Sequence, residues 1–264
     1  MSALFLRDLA IARSYRAAFF LELFETLFGA AGFFFLSRFI ESPQLERALP
    51  RGTSYFSFAL VGLAFFDYLS VALRAFDDSL HEARQNGTLE HLLVTQTSLP
   101  VILAGSILYP FVLLSLRTAI YLGWGAALFG FPLGEANWLG AILVLGASIL
   151  AFSGLGVLSA SYLLVFKRGS PVNWALLGVS SVVGGMMYPV SVLPLWLQHV
   201  ARLVPVTYAL EGMRAALLTH AGFKDLWPSL AALLAFAAIL LPVSFVTFSW
   251  ALRRTKITGT LTHF

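Results

Sequence analysis

The sequence predicts an all-α integral membrane protein with six transmembrane helices in one domain, residues 1–264. Apolar residues make up 59% of the chain and charged residues only 11%, against roughly 45–50% and about 25% in soluble domains. Several apolar runs reach the length of about 20 residues that a bilayer-crossing helix needs. The runs do not alternate between apolar and polar residues, as the strands of a membrane barrel do. This composition excludes a soluble enzyme, a disordered chain and a nucleic-acid-binding domain.

Residues 1–17 are expected to form a helix on the inner surface of the membrane. Leu4, Ile11 and Tyr15 share one face of that helix, and Asp8 lies on the same face, so the amphipathic pattern is weak. A cleaved signal peptide is the alternative interpretation of this region. The long first apolar run, its two glutamates and the lack of a clear A-x-A site favour a retained span.

Six apolar segments follow, and charged residues mark where each of them ends. Three of the segments contain no Asp, Glu, Lys or Arg, and a fourth is interrupted only by Arg117. The two nearest the N-terminus carry Glu22 and Glu25 in one case and Asp67 in the other. The predicted spans cover residues 18–39, 54–76, 99–129, 138–166, 171–190 and 228–251.

The distribution of lysine and arginine orients these spans, because basic residues accumulate on the cytoplasmic side. Both termini placed inside give ten basic residues in the inner segments and six in the outer ones. The clusters Lys167–Arg168 and Arg253–Lys256 then both lie inside. The net charge of +4 is therefore explained mainly by membrane topology. The expected location is the bacterial inner membrane, with several spans and both termini in the cytoplasm.

The inner loop of residues 77–98 is the most polar part of the chain. Asn86–Gly87 favours a tight turn, because both residue types tolerate positive φ. Thr88 can cap a following helix, and Glu90 lies in its first turn, where negative charge is favourable. The pattern predicts two short helices around a turn, which would form a docking element for a cytoplasmic partner. A plain solvated loop is the alternative.

Residues 194–219, before the last span, are expected to form two short outer helices rather than a seventh span. Pro194 suits a first helical turn, and Pro205 interrupts the segment. Thr207 can cap the second helix, in which Glu211 and Arg214 have the spacing of an i,i+3 pair. Amphipathic helices of this kind lie at the membrane interface or in a shallow re-entrant hairpin.

Chemical motifs are few in this sequence. There is no P-loop, so the chain is not expected to bind ATP itself, and neither a catalytic cluster nor metal-ligand spacing is found. Charges inside spans are functional candidates because their burial in lipid is expensive, which singles out Asp67 and Arg117 for a translocation path. Helix packing, or a position near the membrane surface, is the alternative explanation of both.

Three motifs in order give the chain a resemblance to a known family. The inner run from Glu82 to Leu93 is similar to its E…G-T-L-E-x-L-L segment, and the outer run from Tyr188 to Arg214 is similar to its signature before the last span. Arg253–Arg254 and the tail Gly259–Thr260–Leu261 are a weaker match. Over nearly its whole length the chain resembles the membrane subunit, or permease, of bacterial type-2 ATP-binding-cassette (ABC) exporters.

The resemblance implies a half-transporter. Two copies of this chain would form the path as a homodimer in membrane lipid, and two copies of a separate cytoplasmic ABC ATPase, which binds ATP and Mg, would drive it. In such permeases the loop between spans two and three is a coupling helix, and the helices before the last span are re-entrant and close the path on the outside. Carried over, the ATPase-coupling residues are Glu82, Arg84, Gly87, Thr88, Leu89 and Glu90. The outer gate residues are Tyr188, Pro189, Pro194, Trp196, Pro205, Tyr208, Glu211 and Arg214.

The expected function is therefore export of a lipophilic, lipid or lipid-linked substrate, powered by a separate ATPase. The Tyr188–Pro189 and Leu193–Pro194 pattern slightly favours the lipid and drug branch of these permeases. A polysaccharide-exporting or glycan-exporting permease is the alternative within the family. The alternatives from other classes are an ion-coupled carrier or channel that uses Asp67 and Arg117, and a non-transporting assembly or scaffold subunit.

Overall fold

The regular secondary structure of the described residues is almost entirely α-helical. The structure is a computed structural model that describes residues 16–40, 49–50, 52–85, 99–134, 136–166 and 171–257. These residues form α1 (Arg16–Ile40), α2 (Tyr55–Gln85), α3 (Leu99–Phe129), α4 (Trp138–Phe166), α5 (Pro171–Val183), α6 (Leu195–Ala201), α7 (Pro205–Leu218) and α8 (Phe223–Ile257), with one 3₁₀ turn at Val190–Val192. The predicted surface helix of residues 1–17 lies almost wholly outside the described residues.

Four of the described helices are long and apolar enough to cross a membrane. They are α2 over Tyr55–Ala75, α3 over Leu108–Phe129, α4 over its whole length and α8 over Phe223–Thr255. Shorter apolar stretches occur in α1, at Leu27–Ile40, and in α5. The all-helical fold with several apolar helices is confirmed for the described residues, while the number of six spans stays a prediction.

Helix α5 is shorter than the span that the sequence predicts for residues 171–190. It has 13 residues, or about 20 Å, against a hydrocarbon core of about 30 Å. The helix ends at Val183, where the Gly184 amide still donates to the Ser180 carbonyl and Gly185 takes a φ of +78°. A glycine in the left-handed region is a common helix stop. The adjacent pair Gly184–Gly185 therefore ends the helix, although hydropathy alone predicts one continuous span over this stretch.

Helices α4 and α8 form the most extensive contact between elements of the described chain. They approach closely at Gly154, where an added Cβ would lie 2.7 Å from Cβ of Leu240 and 3.1 Å from its carbonyl carbon. Small residues allow such close approach in membranes, where van der Waals packing drives the association of helices. The α4–α8 pair is therefore the packed centre of the bundle, with α2 and α7 also against α4.

The two ends of the bundle are recognisable from their contacts. At the predicted outer end, an aromatic cluster joins α1, α2 and α3 through Phe34, Phe56 and Phe129, with ring centroids 4.8 to 5.7 Å apart. At the predicted inner end, a smaller apolar cluster that includes Val157 of α4 and Phe248 of α8 packs near the end of both helices.

Aromatic residues also mark the two ends of α8. Trp227 and Trp250 expose 54% and 55% of their surface, and 23 residues of helix separate them by about 35 Å. The Arg254 guanidinium lies 5.3 Å from the centroid of the Trp250 ring. Tryptophan prefers the interfaces of a bilayer, whose apolar core is about 30 Å thick. The spacing fits a helix that crosses the membrane from one interface to the other.

Candidate functional site

Helix α2 runs from the predicted outer end directly into the predicted coupling segment. It continues without a break to Gln85, ten residues past Ala75, which is about 15 Å of additional helix. Glu82 and Arg84 therefore lie in the last turns of α2. The first of the two short helices predicted for residues 77–98 is an extension of the span itself. Gly87, Thr88, Leu89 and Glu90 lie outside the described residues.

Asn173 joins three helices at the predicted inner end. Its side chain is buried, and its Nδ2 donates to the Leu73 carbonyl of α2 at 3.1 Å. Its Oδ1 accepts from the Ser159 hydroxyl of α4. A buried amide with both ends bonded fixes the relative position of its partners, because an unbonded polar group would be costly there. The first turn of α5 is thus attached to α2 and α4.

The predicted pair of short outer helices is present as α6 and α7. Pro194 is the N-cap of α6, and Pro205 is the first residue of α7, as its missing N–H favours. The expected capping role of Thr207 is wrong, since Val204 is the N-cap of α7. The Thr207 hydroxyl instead donates to the Ala201 carbonyl at 2.8 Å, which sets the angle between the two helices. Their re-entrant position in a bilayer stays a prediction.

The remaining outer gate residues divide between backbone contacts and the surface. The Tyr188 hydroxyl donates to the Val182 carbonyl, and the Tyr208 hydroxyl donates to the Arg202 carbonyl at 3.1 Å. Pro189 precedes the 3₁₀ turn. The side chains of Trp196 and Glu211 are exposed. The two tyrosines therefore close the turns before and after α6, whereas Trp196 is free to contact lipid or a partner.

Arg214 has the most constrained polar side chain of the outer helices. Only 5% of the residue is exposed. Its Nε donates to the Phe58 carbonyl of α2 at 3.2 Å, and its Nη1 and Nη2 donate to the Gly185 and Met186 carbonyls at 2.7 and 2.6 Å. The guanidinium carbon also lies 3.5 Å from the centroid of the Phe58 ring. We call these interactions the Arg214 contact.

Gly62 makes the Arg214 contact sterically tight. It lies one turn after Phe58 on α2, and an added Cβ would overlap the Met186 carbonyl oxygen and the Arg214 guanidinium. The absence of a side chain at this position is what allows the turn after α5 to rest on the backbone of α2. Helix α2, the turn at residues 184–187 and helix α7 therefore meet at one point.

The electrostatics of Arg214 differ from the pair that the sequence suggests. Its nitrogens donate to three carbonyls rather than to Glu211, whose carboxylate acts on the guanidinium through its charge. Burial lowers the pKa of Arg214 and Glu211 opposes that shift. The guanidinium stays protonated at neutral pH, because its lowered pKa of about 9 is still above neutrality. A planar fork of five donors matches several carbonyls at once, which a lysine ammonium does not.

A second contact ties the loop between α3 and α4 to the outer helices. The Asn137 amide accepts from the Gly140 backbone N–H at 2.9 Å, which caps α4, and donates from Nδ2 to the Ala221 carbonyl at 2.9 Å. Its backbone N–H donates to the Ala216 carbonyl at 2.8 Å. The C-terminal end of α7 is thereby fixed to the start of α4.

The predicted path residues Asp67 and Arg117 lie on the facing helices α2 and α3. Asp67 is exposed on the surface of the chain and Arg117 is half-buried, and the charges of both act on the Tyr121 hydroxyl. Beside them, the Tyr68 hydroxyl donates to the Ser115 hydroxyl at 3.0 Å. The structure thus gathers polar groups midway along two apolar helices, where polar groups usually have a function.

The polar contacts of these residues mainly hold helices together. Within the described segments, no three His, Cys, Asp or Glu side chains form a group that could hold a metal ion. The polar contacts described above mostly join one helix to the backbone of another. They are suited to hold helices in register and to transmit displacement between the two ends of the bundle.

The chain is similar to proteins of one family. A family model described as "ABC-2 type transporter" matches residues 3–218. The chain is 28% identical over 158 residues to the linearmycin resistance permease protein LnrN of Bacillus subtilis, which covers 60% of this chain and 40% of LnrN. It is 26% identical over 170 residues to the inner membrane transport permease YadH of Escherichia coli, which covers 63% of this chain and 64% of YadH. The matched regions thus span less than two thirds of either relative.

Proposed function

The chain belongs to the ABC-2 type transporter family, and from this we propose that it is the membrane-spanning subunit of an ATP-driven exporter for lipophilic, lipid or lipid-linked substrates. A partner ABC ATPase on another chain supplies the energy, and binds the ATP and Mg. Two copies of each subunit assemble in the inner membrane. The observation that carries the proposal is the continuous helix α2, whose end at Gln85 leads directly into the predicted ATPase contact.

The proposed coupling role of residues 82–90 is supported by the continuity of this helix. A loop can transmit the closure of an ATPase only if it is attached to elements that span the membrane. Residues 86–98 lie between α2 and α3, both of which are candidate spans. Glu82 and Arg84 lie in the last turns of α2, at the end of the helix that leads into this segment.

The proposed substrate class draws on the names of two relatives and on the apolar surface of this chain. LnrN is named for resistance to linearmycin, and YadH is named as an inner membrane transport permease. Many large apolar side chains of α1, α3 and α8 are also exposed on this chain. Such surfaces face lipid or a second copy in a membrane. A path between them would be accessible to an amphiphile from within the bilayer.

Reversing one charge in the coupling segment is expected to weaken ATPase binding. Glu90→Lys should raise the Kd of this chain for its ATPase about 30-fold, because like charges placed together at an interface cost about 2 kcal/mol or more. Binding is measured with the full chain in detergent, by the ATPase activity it stimulates and by co-purification. The matched control is Lys224→Glu, which reverses an exposed charge at the predicted outer end and should bind normally. Equal binding by both variants would contradict the coupling assignment.

The substrate class predicts the phenotype of a deletion strain. Loss of the chain should change the lipid composition of the envelope or raise sensitivity to lipophilic compounds, and should leave exported polysaccharide unchanged. Lipid and glycan analysis of the same cultures separates the two branches of the family. Glycan loss with normal lipids would favour the polysaccharide branch instead. Transport that continues without any ATPase, driven by an ion gradient, would reject the ABC exporter.

A further inference from the structure

Helix α2 connects the predicted coupling segment to the outer helices in one piece. Its 31 residues make a rod about 46 Å long. The inner end leads to residues 86–98, and the outer end carries Phe58 and Gly62. A displacement of the inner end along the axis of a continuous helix moves the outer end by a similar amount.

The outer end of this rod is held by a charged side chain. Arg214 of α7 bonds the Phe58 carbonyl of α2 and covers the Phe58 ring, and the same guanidinium bonds two carbonyls of the turn at residues 184–187. Separating any partner leaves a buried cation short of acceptors, which is strongly unfavourable. The turn also rests on the backbone at Gly62 with no space for a side chain. Helix α2 therefore cannot slide without moving the turn and α7.

The inner end supplies a second connection between the same elements. Asn173 attaches the first turn of α5 to Leu73 of α2, and the far end of α5 becomes the turn that Arg214 holds. Both ends of α5 are thus joined to α2, one through Asn173 and the other through the Arg214 contact. These two connections make a closed frame, which Asn173 also joins to α4 through Ser159, and α6 and α7 follow directly from α5 in the chain.

We propose that Arg214 is a positioning residue that couples movement of α2 to the outer helices, so that α6 and α7 change position in step with the ATPase. The proposal rests on the proposed function for its energy source. The guanidinium does not touch the substrate in this role. It acts by keeping α2, the 184–187 turn and α7 in one mechanical unit while the complex changes state.

The test uses one introduced cysteine to report changes in the position of the outer helices. The chain has no cysteine, and Met187 beside the Arg214 contact is exposed, so Met187→Cys gives one site for a maleimide. The complex with its ATPase is placed in lipid nanodiscs, and labelling of this chain is measured by mass without nucleotide, with ATP and Mg, and with vanadate added. We expect labelling rates in these states to differ about tenfold, in the usual range for coupling between distant sites.

Arg214→Lys in that background should remove most of the difference between states while ATP hydrolysis continues. Lysine keeps the positive charge and loses the fork that reaches three carbonyls. Arg202→Lys is the matched control, because Arg202 is exposed on the same outer layer, and it should retain the full difference. If Arg214→Lys does not assemble, Phe58→Leu removes only the aromatic ring and should reduce the difference severalfold in a folded complex.

Two results would overturn the proposal. One is a difference between states in Arg214→Lys that equals that of the background chain. The other is a background chain that hydrolyses ATP with its partner but labels at the same rate in every state. The failure of the proposed function is distinguishable, because then the background chain does not assemble with an ATPase or stimulate it at all.

Discussion

Gly62→Ala is expected to lower the free energy of unfolding by about 3–5 kcal/mol, the cost of overpacking added to the loss of partners by a buried cation. The added methyl group would occupy the position of the Met186 carbonyl oxygen and of the Arg214 guanidinium. Neither can give way easily, because the first is backbone and the second is held by three carbonyls. Thermal unfolding of the purified chain in detergent, followed by tryptophan fluorescence, measures the change.

The matched control for Gly62 is Gly123 in α3. A Cβ at Gly123 would meet no atom within 4 Å, and alanine is a better helix former than glycine by about 1 kcal/mol. Gly123→Ala should therefore leave the unfolding temperature unchanged or raise it slightly. Equal effects of the two substitutions would mean that the contact at Gly62 does not determine stability.

Much of the bundle could be predicted from the sequence, because charges are rare and lie at the ends of the helices. The bounds of α3 and α4 coincide with the spans predicted over residues 99–129 and 138–166. Lipid excludes charge, so the first charged residue after an apolar run limits the span. The same reasoning places the end of the second span near residue 76, whereas α2 continues to Gln85. Polar residues end the part of a helix that lies in lipid, but they do not end the helix itself.

The Arg214 contact could not be predicted, because its partners are far from Arg214 in the sequence. The partners of Arg214 lie 156, 29 and 28 residues away, and all three are backbone carbonyls, which every residue carries. The local sequence offers only Glu211 as a partner. A sequence signal did exist in Gly62, an unexplained glycine inside an apolar helix. Such a glycine points to close approach of another backbone, but does not identify which one.

The coupling residues and the path residues differ in how much of their predicted placement the structure describes. Glu82 and Arg84 lie on α2, so their attachment to a spanning helix follows from the fold. The predicted roles of Gly87 and Glu90 depend on residues outside those described and stay predictions. The charges of Asp67 on α2 and Arg117 on α3 both act on Tyr121. The helical periodicity of a single span cannot predict such an arrangement between two spans.

Gly154→Ala is expected to destabilise the protein by about 3 kcal/mol, at the upper end of the cost of overpacking a tight interior. The new methyl group would lie 2.7 Å from Cβ of Leu240 and 3.3 Å from the backbone nitrogen of Leu241. Relief requires α4 and α8 to move apart, since rotation of the Leu240 side chain does not displace its Cβ. Separation would weaken packing along the largest helix contact of the described bundle.

The control for Gly154 lies on the same helix. A Cβ at Gly146 would meet nothing within 4 Å, so Gly146→Ala should be neutral or slightly stabilising through helix propensity alone. Unfolding temperatures of the two variants in the same detergent then separate packing from propensity. If Gly154→Ala also proves neutral, α4 and α8 can accommodate an added methyl group at their contact without loss of stability. The centre of the bundle would then be less rigid than the frame formed by α2 and α5, and the largest steric penalty would lie at Gly62.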